Sequence, residues 1–191
     1  MRLLIHLFLF VTIALGVGFG LSFAALEKGR LFGTLWVGPW MAWTEVGSPQ
    51  PDPYTRAYLS RNGALELARA EGIRFVASQD SGGQDLLANC TYRIDGITPE
   101  TSLWTLAAIG TSGASITRPE TPMALRSDHL NFEPDGSFAL HVGPHLSHKN
   151  WLETSATGKF KLVLTLYDSS VFSGFSSLSN ALPSIFVEQC Q

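Results

Sequence analysis

The stretch Phe160-Lys161-Leu162-Val163-Leu164-Thr165-Leu166-Tyr167 decides the fold. Phe160, Leu162, Leu164 and Leu166 fall on one side of an extended chain, and Lys161, Val163, Thr165 and Tyr167 on the other. Successive side chains of a strand point to opposite faces, so this period of two reads as a strand with one face in a core. Working outward, the same alternation returns in Ile73, Phe75 and Ala77, in Cys90, Tyr92 and Ile94 against Thr91 and Arg93, and in Phe138, Leu140 and Val142. Leu103 to Ile109 is continuously apolar and is expected to be a strand buried on both faces. Asp80-Ser81-Gly82-Gly83, Gly110 to Gly113 and Glu133-Pro134-Asp135-Gly136 carry the chemistry of tight turns. Short alternating strands between such turns predict a mainly β chain folded as an antiparallel β-sandwich. Ahead of the strands, Asp52-Pro53 reads as a helix start, because Asp caps free N–H groups and Pro suits the first helical position. A short helix over 53–61 follows, with a further turn or two to about residue 70 after Asn62-Gly63.

The other end of the chain is governed by a different solvent. From Leu3 to Leu26 there is no Asp, Glu, Lys or Arg, and His6 is the only strongly polar side chain. At about 1.5 Å per residue such a helix is roughly 36 Å long, enough to cross a hydrocarbon core of about 30 Å. Arg2 precedes it, and Glu27, Lys28 and Arg30 close it. The run exceeds the apolar region of a removable export signal, about 7–15 residues, although Ser22-Phe23-Ala24 resembles a weak cleavage site. An uncleaved anchor is therefore expected. Trp36, Trp40 and Trp43 lie close behind the charged stop and are expected at the headgroup level; a place in the globular core is the alternative. Gly16, Gly20 and Ala24 recur on one helix face, where small residues would let two copies pack as a homo-oligomer; glycine facing lipid is the alternative. The expected division is 1–30 for the anchor, 31–51 for an interfacial segment and linker, and 52–191 for the sandwich.

Charge does not orient the anchor, since Arg2 and the α-amine face Lys28 and Arg30 across the span. Cysteine bears on the question independently. The chain of 191 residues holds two, Cys90 and the penultimate Cys190, placed to form a disulfide pinning the C-terminus to a strand. Two separate buried thiols are the alternative. A disulfide needs an oxidising compartment, which would put the domain in the periplasm on the outer side of a bacterial inner membrane, crossed once. The formal net charge of −3, with no basic stripe, excludes a nucleic-acid-binding face.

Several segments in order, Asp52-Pro53-Tyr54-Thr55-Arg56-Ala57, Cys90-Thr91-Tyr92-Arg93-Ile94, Trp104-Thr105-Leu106, Asp135-Gly136-Ser137-Phe138, Asn150-Trp151-Leu152, Leu162 to Tyr167 and Leu182-Pro183-Ser184-Ile185, resemble a DUF1214 domain of the membrane-anchored alphaproteobacterial kind. The resemblance covers nearly all of 52–190. It implies a jelly-roll-like sandwich and association with a DUF1254-type partner, and it implies no defined activity. Lys149 and Glu153 flank Asn150-Trp151-Leu152 where members often read Gly-Asn-Trp-Leu-Pro, and Thr165 stands where many carry Arg.

Candidate chemistry concentrates in one segment. His141, His145 and His148 lie within eight residues, with Asp128-His129 nearby. Imidazole is a common metal ligand, but strand alternation and the Gly143-Pro144 break leave these residues on no common face, so solvated or hydrogen-bonded histidines are expected and no metal. No phosphate loop, cofactor motif or Gly-x-Ser-x-Gly elbow is present, and a dispersed Ser-His-acid triad is not selected by spacing. Asn150 and Trp151 could rim a pocket, or anchor the loop with the indole in the sandwich end. Arg56 and Arg93 are expected as ion-pair partners. The candidate binding loop is therefore Asn150, Trp151, His141 and His145. The preferred expectation is a non-catalytic binding and assembly module. An envelope enzyme of hydrolase type with a site around 141–153 is the alternative.

Overall fold

The computed structural model describes residues 2–28, 34–62, 67–68, 70–155, 157–168 and 182–190. It opens with helix α1 (Arg2–Lys28), followed by strands β1 (Thr34–Val37) and β2 (Trp40–Trp43) and helix α2 (Pro53–Asn62). Strands β3 (Gly72–Ala77), β4 (Cys90–Gly96), β5 (Leu103–Gly110), β6 (Ala124–Arg126), β7 (Phe138–Gly143), β8 (Asn150–Glu153), β9 (Phe160–Tyr167) and β10 (Ser184–Cys190) follow. They form two sheets, one of six strands in the order β1-β2-β3-β9-β5-β6 and one of four in the order β10-β4-β7-β8. The chain is thus a mainly β sandwich preceded by one long apolar helix.

The inward residues of the two sheets form one core. Phe75, Leu106, Leu162, Leu164 and Leu166 come from the larger sheet, and Tyr92, Ile94, Leu140, Val142 and Ile185 from the smaller. Across the gap, Tyr92 meets Phe160 edge-on at 5.8 Å and Trp104 meets Phe138 at 4.8 Å between ring centroids. Aromatic pairs at such spacing add to the area they bury. The stretch 160–167 pairs with β3 on one side and β5 on the other, so it is a central strand, with its alternating apolar face in the core.

Three expectations change, and one falls partly outside the described residues. Trp40 and Trp43 are buried and Trp36 is 41% exposed, because residues 34–43 form a hairpin on the edge of the larger sheet. The Trp40 indole N–H donates to the Pro183 carbonyl at 2.7 Å, which fixes β2 against the approach to β10. Trp40 and Trp43 follow the core alternative, and β1 and β2 form one edge of the larger sheet. Strand β5 is buried on one face only: Trp104, Leu106 and Ala108 point inward, while Leu103, Thr105, Ala107 and Ile109 are half-buried outside. Strands β7 and β8 run parallel, with Leu140 opposite Asn150 and Gly143 opposite Glu153. Side-chain alternation is the same in parallel and antiparallel strands, so the sequence pattern carries no direction here. Finally, α2 starts where expected, with Asp52 accepting from the Thr55 N–H at 3.2 Å, but residues 63–66 and 69 of the expected continuation lie outside the described residues. The Ser-rich run Ser169 to Ser179 does so too.

Cys90 and Cys190 form a disulfide and lie directly opposite in the β4–β10 ladder. The bond ties the end of the chain to the middle of the smaller sheet across a sequence separation of 100.

Candidate functional site

The outer face of the smaller sheet carries the histidine segment. One cross-strand row runs Phe186 on β10, Arg93 on β4, His141 on β7 and Trp151 on β8. All four alternate with inward core residues, so all four point away from the core. The Arg93 guanidinium lies over the Phe186 ring at 5.9 Å and pairs with Asp95 at 3.3 Å. It acts as the expected ion-pair partner. Arg56 instead bonds the Pro51 carbonyl.

The loop between β7 and β8 folds back over this row. Gly143-Pro144 ends β7, and the chain returns through residues 145–149 to re-enter beside Leu140. A cleft of about 540 Å³ results, walled by His141, His145, Leu146, Ser147, His148 and Glu188. His141 is only 14% exposed in its side chain. Its Nδ1 lies 3.0 Å from Ser147 Oγ, and its Nε2 lies 3.5 Å from Glu188 Oε1. Glu188 reaches it because the β4–β10 register shifts between Val187 and Gln189, which makes Glu188 the extra residue of a β-bulge. Bulges of this kind re-aim a side chain.

The four candidate binding residues therefore separate. His141 and His145 line the cleft. Asn150 is buried: its carbonyl accepts from the Asn131 N–H at 2.9 Å, and its amide donates to the carbonyls of Asn131 at 2.9 Å and Ala139 at 3.0 Å. Both ends of the amide are thereby used in holding the 131 segment against the start of β8. Trp151 is half-buried and donates to the Gly143 carbonyl at 3.2 Å, which clips the returning strand to β7. Asn150 bonds local backbone as the anchor alternative has it, whereas the Trp151 indole lies on the outer face of the smaller sheet rather than in the sandwich end. Glu153 is buried and paired with Arg118 at 3.0 Å, as a buried carboxylate requires. Asp128 pairs with Arg126 at 2.7 Å and sits with His129 on a short 3₁₀ turn; neither lines the cleft. Among the described residues, no three His, Cys, Asp or Glu side chains are grouped to hold a metal ion.

Ser147 and Glu188 are the cleft residues that spacing did not flag. Ser147 lay inside the histidine segment, and a search for a hydroxyl near each histidine would have reached it. Glu188 had no local signal, since only the disulfide-fixed pairing of β10 with β4 brings residue 188 near residue 141.

A second cleft, of about 650 Å³, opens beside the disulfide between Asp80, Asp85, Leu87, Tyr92, Lys159 and Val187. Lys159 bonds Asp85 and, with Gln79 also donating to it, holds that carboxyl below the usual range. Burial pushes the Tyr92 phenol up, against the hydrogen bond its oxygen accepts from the Leu87 N–H at 2.8 Å.

The model of the family described as a protein of unknown function, DUF1214, matches residues 71–171, which run from the start of β3 past the end of β9. The chain belongs to the DUF1214 family. Among solved structures, the VPA0106 protein of Vibrio parahaemolyticus is similar at 15% identity with a TM-score of 0.57, over 74% of this chain and 36% of that one. An uncharacterised protein of Burkholderia cenocepacia is similar at 17% identity with a TM-score of 0.47, over 90% of this chain and 40% of that one. The first likeness supports the sandwich fold of this DUF1214 chain. The chain spans well under half the length of either solved protein. No curated protein matches it.

Proposed function

We propose that this DUF1214 chain is a membrane-tethered binding and assembly module of the alphaproteobacterial kind. Residues 1–30 would be its inner-membrane anchor, and its sandwich would act in the periplasm beside a separate DUF1254-type protein. The observation that carries the tether is α1. Every side chain from Arg2 to Phe23 is exposed, Leu3, Phe8, Phe10, Phe19 and Leu21 each at 66% or more. Burying each large apolar side chain is worth about 1.5–3 kcal/mol, so a helix that covers none of them on the protein is driven strongly into a bilayer. The disulfide adds support for a domain on the oxidising side.

The partner rests on a different observation. The chain covers only 36% of the VPA0106 protein, which therefore carries far more chain than the part matched here. A sandwich that is one part of a longer chain there is a candidate to meet its companion here as a separate chain. The test is extraction of native membranes with alkaline carbonate, followed by detergent pull-down through a C-terminal tag. The expected result is intact protein in the membrane pellet, retaining a DUF1254-type protein at fixed ratio. Protein in the aqueous fraction with an N-terminus near Ala25, or a monomer with no retained partner, would overturn the respective half.

A further inference from the structure

We propose that Ser147, His141 and Glu188 form a nucleophile, base and orienting acid that cleave small carboxylic esters in the cleft over the four-stranded sheet. This activity goes beyond assembly and stands or falls separately from it.

Three observations carry the assignment. The first is connectivity, since one imidazole is in reach of a hydroxyl at 3.0 Å on Nδ1 and of a carboxylate at 3.5 Å on Nε2. A nucleophile within hydrogen-bond reach of a base that is itself held by a third group is the signature of an activated serine. Here the two ring nitrogens exchange their usual roles: with Nε2 turned toward Glu188 at 3.5 Å, the Nε2–H tautomer would leave the Nδ1 lone pair facing Ser147. The second is position. His141 is rooted in β7, in the middle of a sheet, and the bulge of β10 aims Glu188 at it, so base and orienter both stand on sheet rather than loop. The third is the cleft itself, about 540 Å³ and open, into which Ser147 faces along with His145 and His148. An imidazole N–H on that wall is the type of donor an oxyanion needs.

The chemistry balances within these groups. Ser147 Oγ attacks the ester carbonyl carbon while its proton passes to His141 Nδ1, and the carbonyl π electrons move onto oxygen. The tetrahedral adduct collapses, the C–O bond to the alcohol breaks, and the departing oxygen takes the proton from Nδ1. Water then repeats the sequence on the acyl-serine, releasing the acid and restoring Ser147. Glu188 orients the ring and stabilises the transient imidazolium. Walls of imidazole, carboxylate and hydroxyl, with Leu146 as the large apolar side chain at the rim and 80% exposed, suit a short acyl group rather than a long chain.

The test uses the full chain in detergent micelles, with a fluorophosphonate probe read by peptide mass and 4-nitrophenyl acetate as substrate. The expected adduct is on Ser147, forming faster as pH rises, because only an unprotonated imidazole can take up the serine proton. Ser147→Ala loses both adduct and turnover. Glu188→Gln, at a half-exposed position, keeps the unfolding midpoint and slows labelling by about tenfold or more, with a displaced pH profile. No adduct at Ser147, or an adduct forming at the parent rate in folded His141→Gln, overturns the assignment. Should His141→Gln fail to fold, an unchanged rate and pH profile in Glu188→Gln does the same.

Discussion

Replacing Asn150 by Ala should weaken the fold without emptying the cleft. The amide makes three hydrogen bonds in a buried site, one as acceptor from the Asn131 N–H and two as donor to the carbonyls of Asn131 and Ala139. A net contribution near 1 kcal/mol per bond makes the loss about 3 kcal/mol, and backbone groups left without a partner add to it. For a domain of about 150 residues that corresponds to a fall of roughly 6–12 °C in Tm. Asn150→Asp should be no milder, since it retains one acceptor and sets a carboxylate against two carbonyl oxygens. Asn131→Ala is the control. Asn131 contributes its backbone to this arrangement and its side chain is exposed, so a change within about 0.5 kcal/mol is expected. The assay is denaturant unfolding of the detergent-solubilised chain followed by tryptophan fluorescence, with the midpoint compared at constant slope. The reasoning is refuted if Asn150→Ala unfolds with the parent while a bound ligand or partner is lost, because Asn150 would then be a recognition residue after all.

Further outcomes follow from other parts of the sandwich. Cys190→Ser should lower stability by up to about 4–5 kcal/mol, the chain-entropy value for a loop of this length, and a reductant should reproduce the loss in the parent but not in the variant. Gly143→Ala should destabilise by about 1–3 kcal/mol in the same assay, because an added Cβ would lie 2.7 Å from Thr91 Oγ1 and 2.9 Å from Thr91 Cα, which are parts of the adjoining strand and cannot retreat together. Asp85 is held below the usual carboxyl range chiefly by Lys159. Its contribution is therefore fully present above the unfolded value near 4 and is lost as pH falls below it. In urea unfolding against pH, Lys159→Met should flatten the acid limb slightly, and about 1 M salt should erase the difference because the pair is exposed.

How much was legible in the sequence differs from element to element. Strands β3, β4, β7 and β9 were visible because each buries one face, and a half-buried strand must alternate. The cap of α2 was visible because Asp52 acts on a residue only three positions away. The hairpin at 34–43 was missed because tryptophan suits both a core and a headgroup region, and its neighbours in sequence do not distinguish the two. The site was half legible. The histidine segment stands out by composition, with His141 on a strand and His145 and His148 on the loop after Gly143-Pro144. The structure then separated Asn150 and Trp151, whose polar atoms are spent on backbone, from His141, whose two ring nitrogens face side chains.

The sequence by itself determined which side of each strand is apolar, where the chain turns, and that the first helix is long and apolar, because these depend on the chemistry of residues adjacent in the chain. Only the tertiary structure decided that β8 runs parallel to β7, that Trp40 closes against Pro183, and that Glu188 meets His141. Those depend on which strands become neighbours. That choice is made by packing two sheets over one core and by a disulfide joining residues 100 positions apart. No local pattern records it, because an extended strand offers the same hydrogen-bonding edges to every partner until burial selects one.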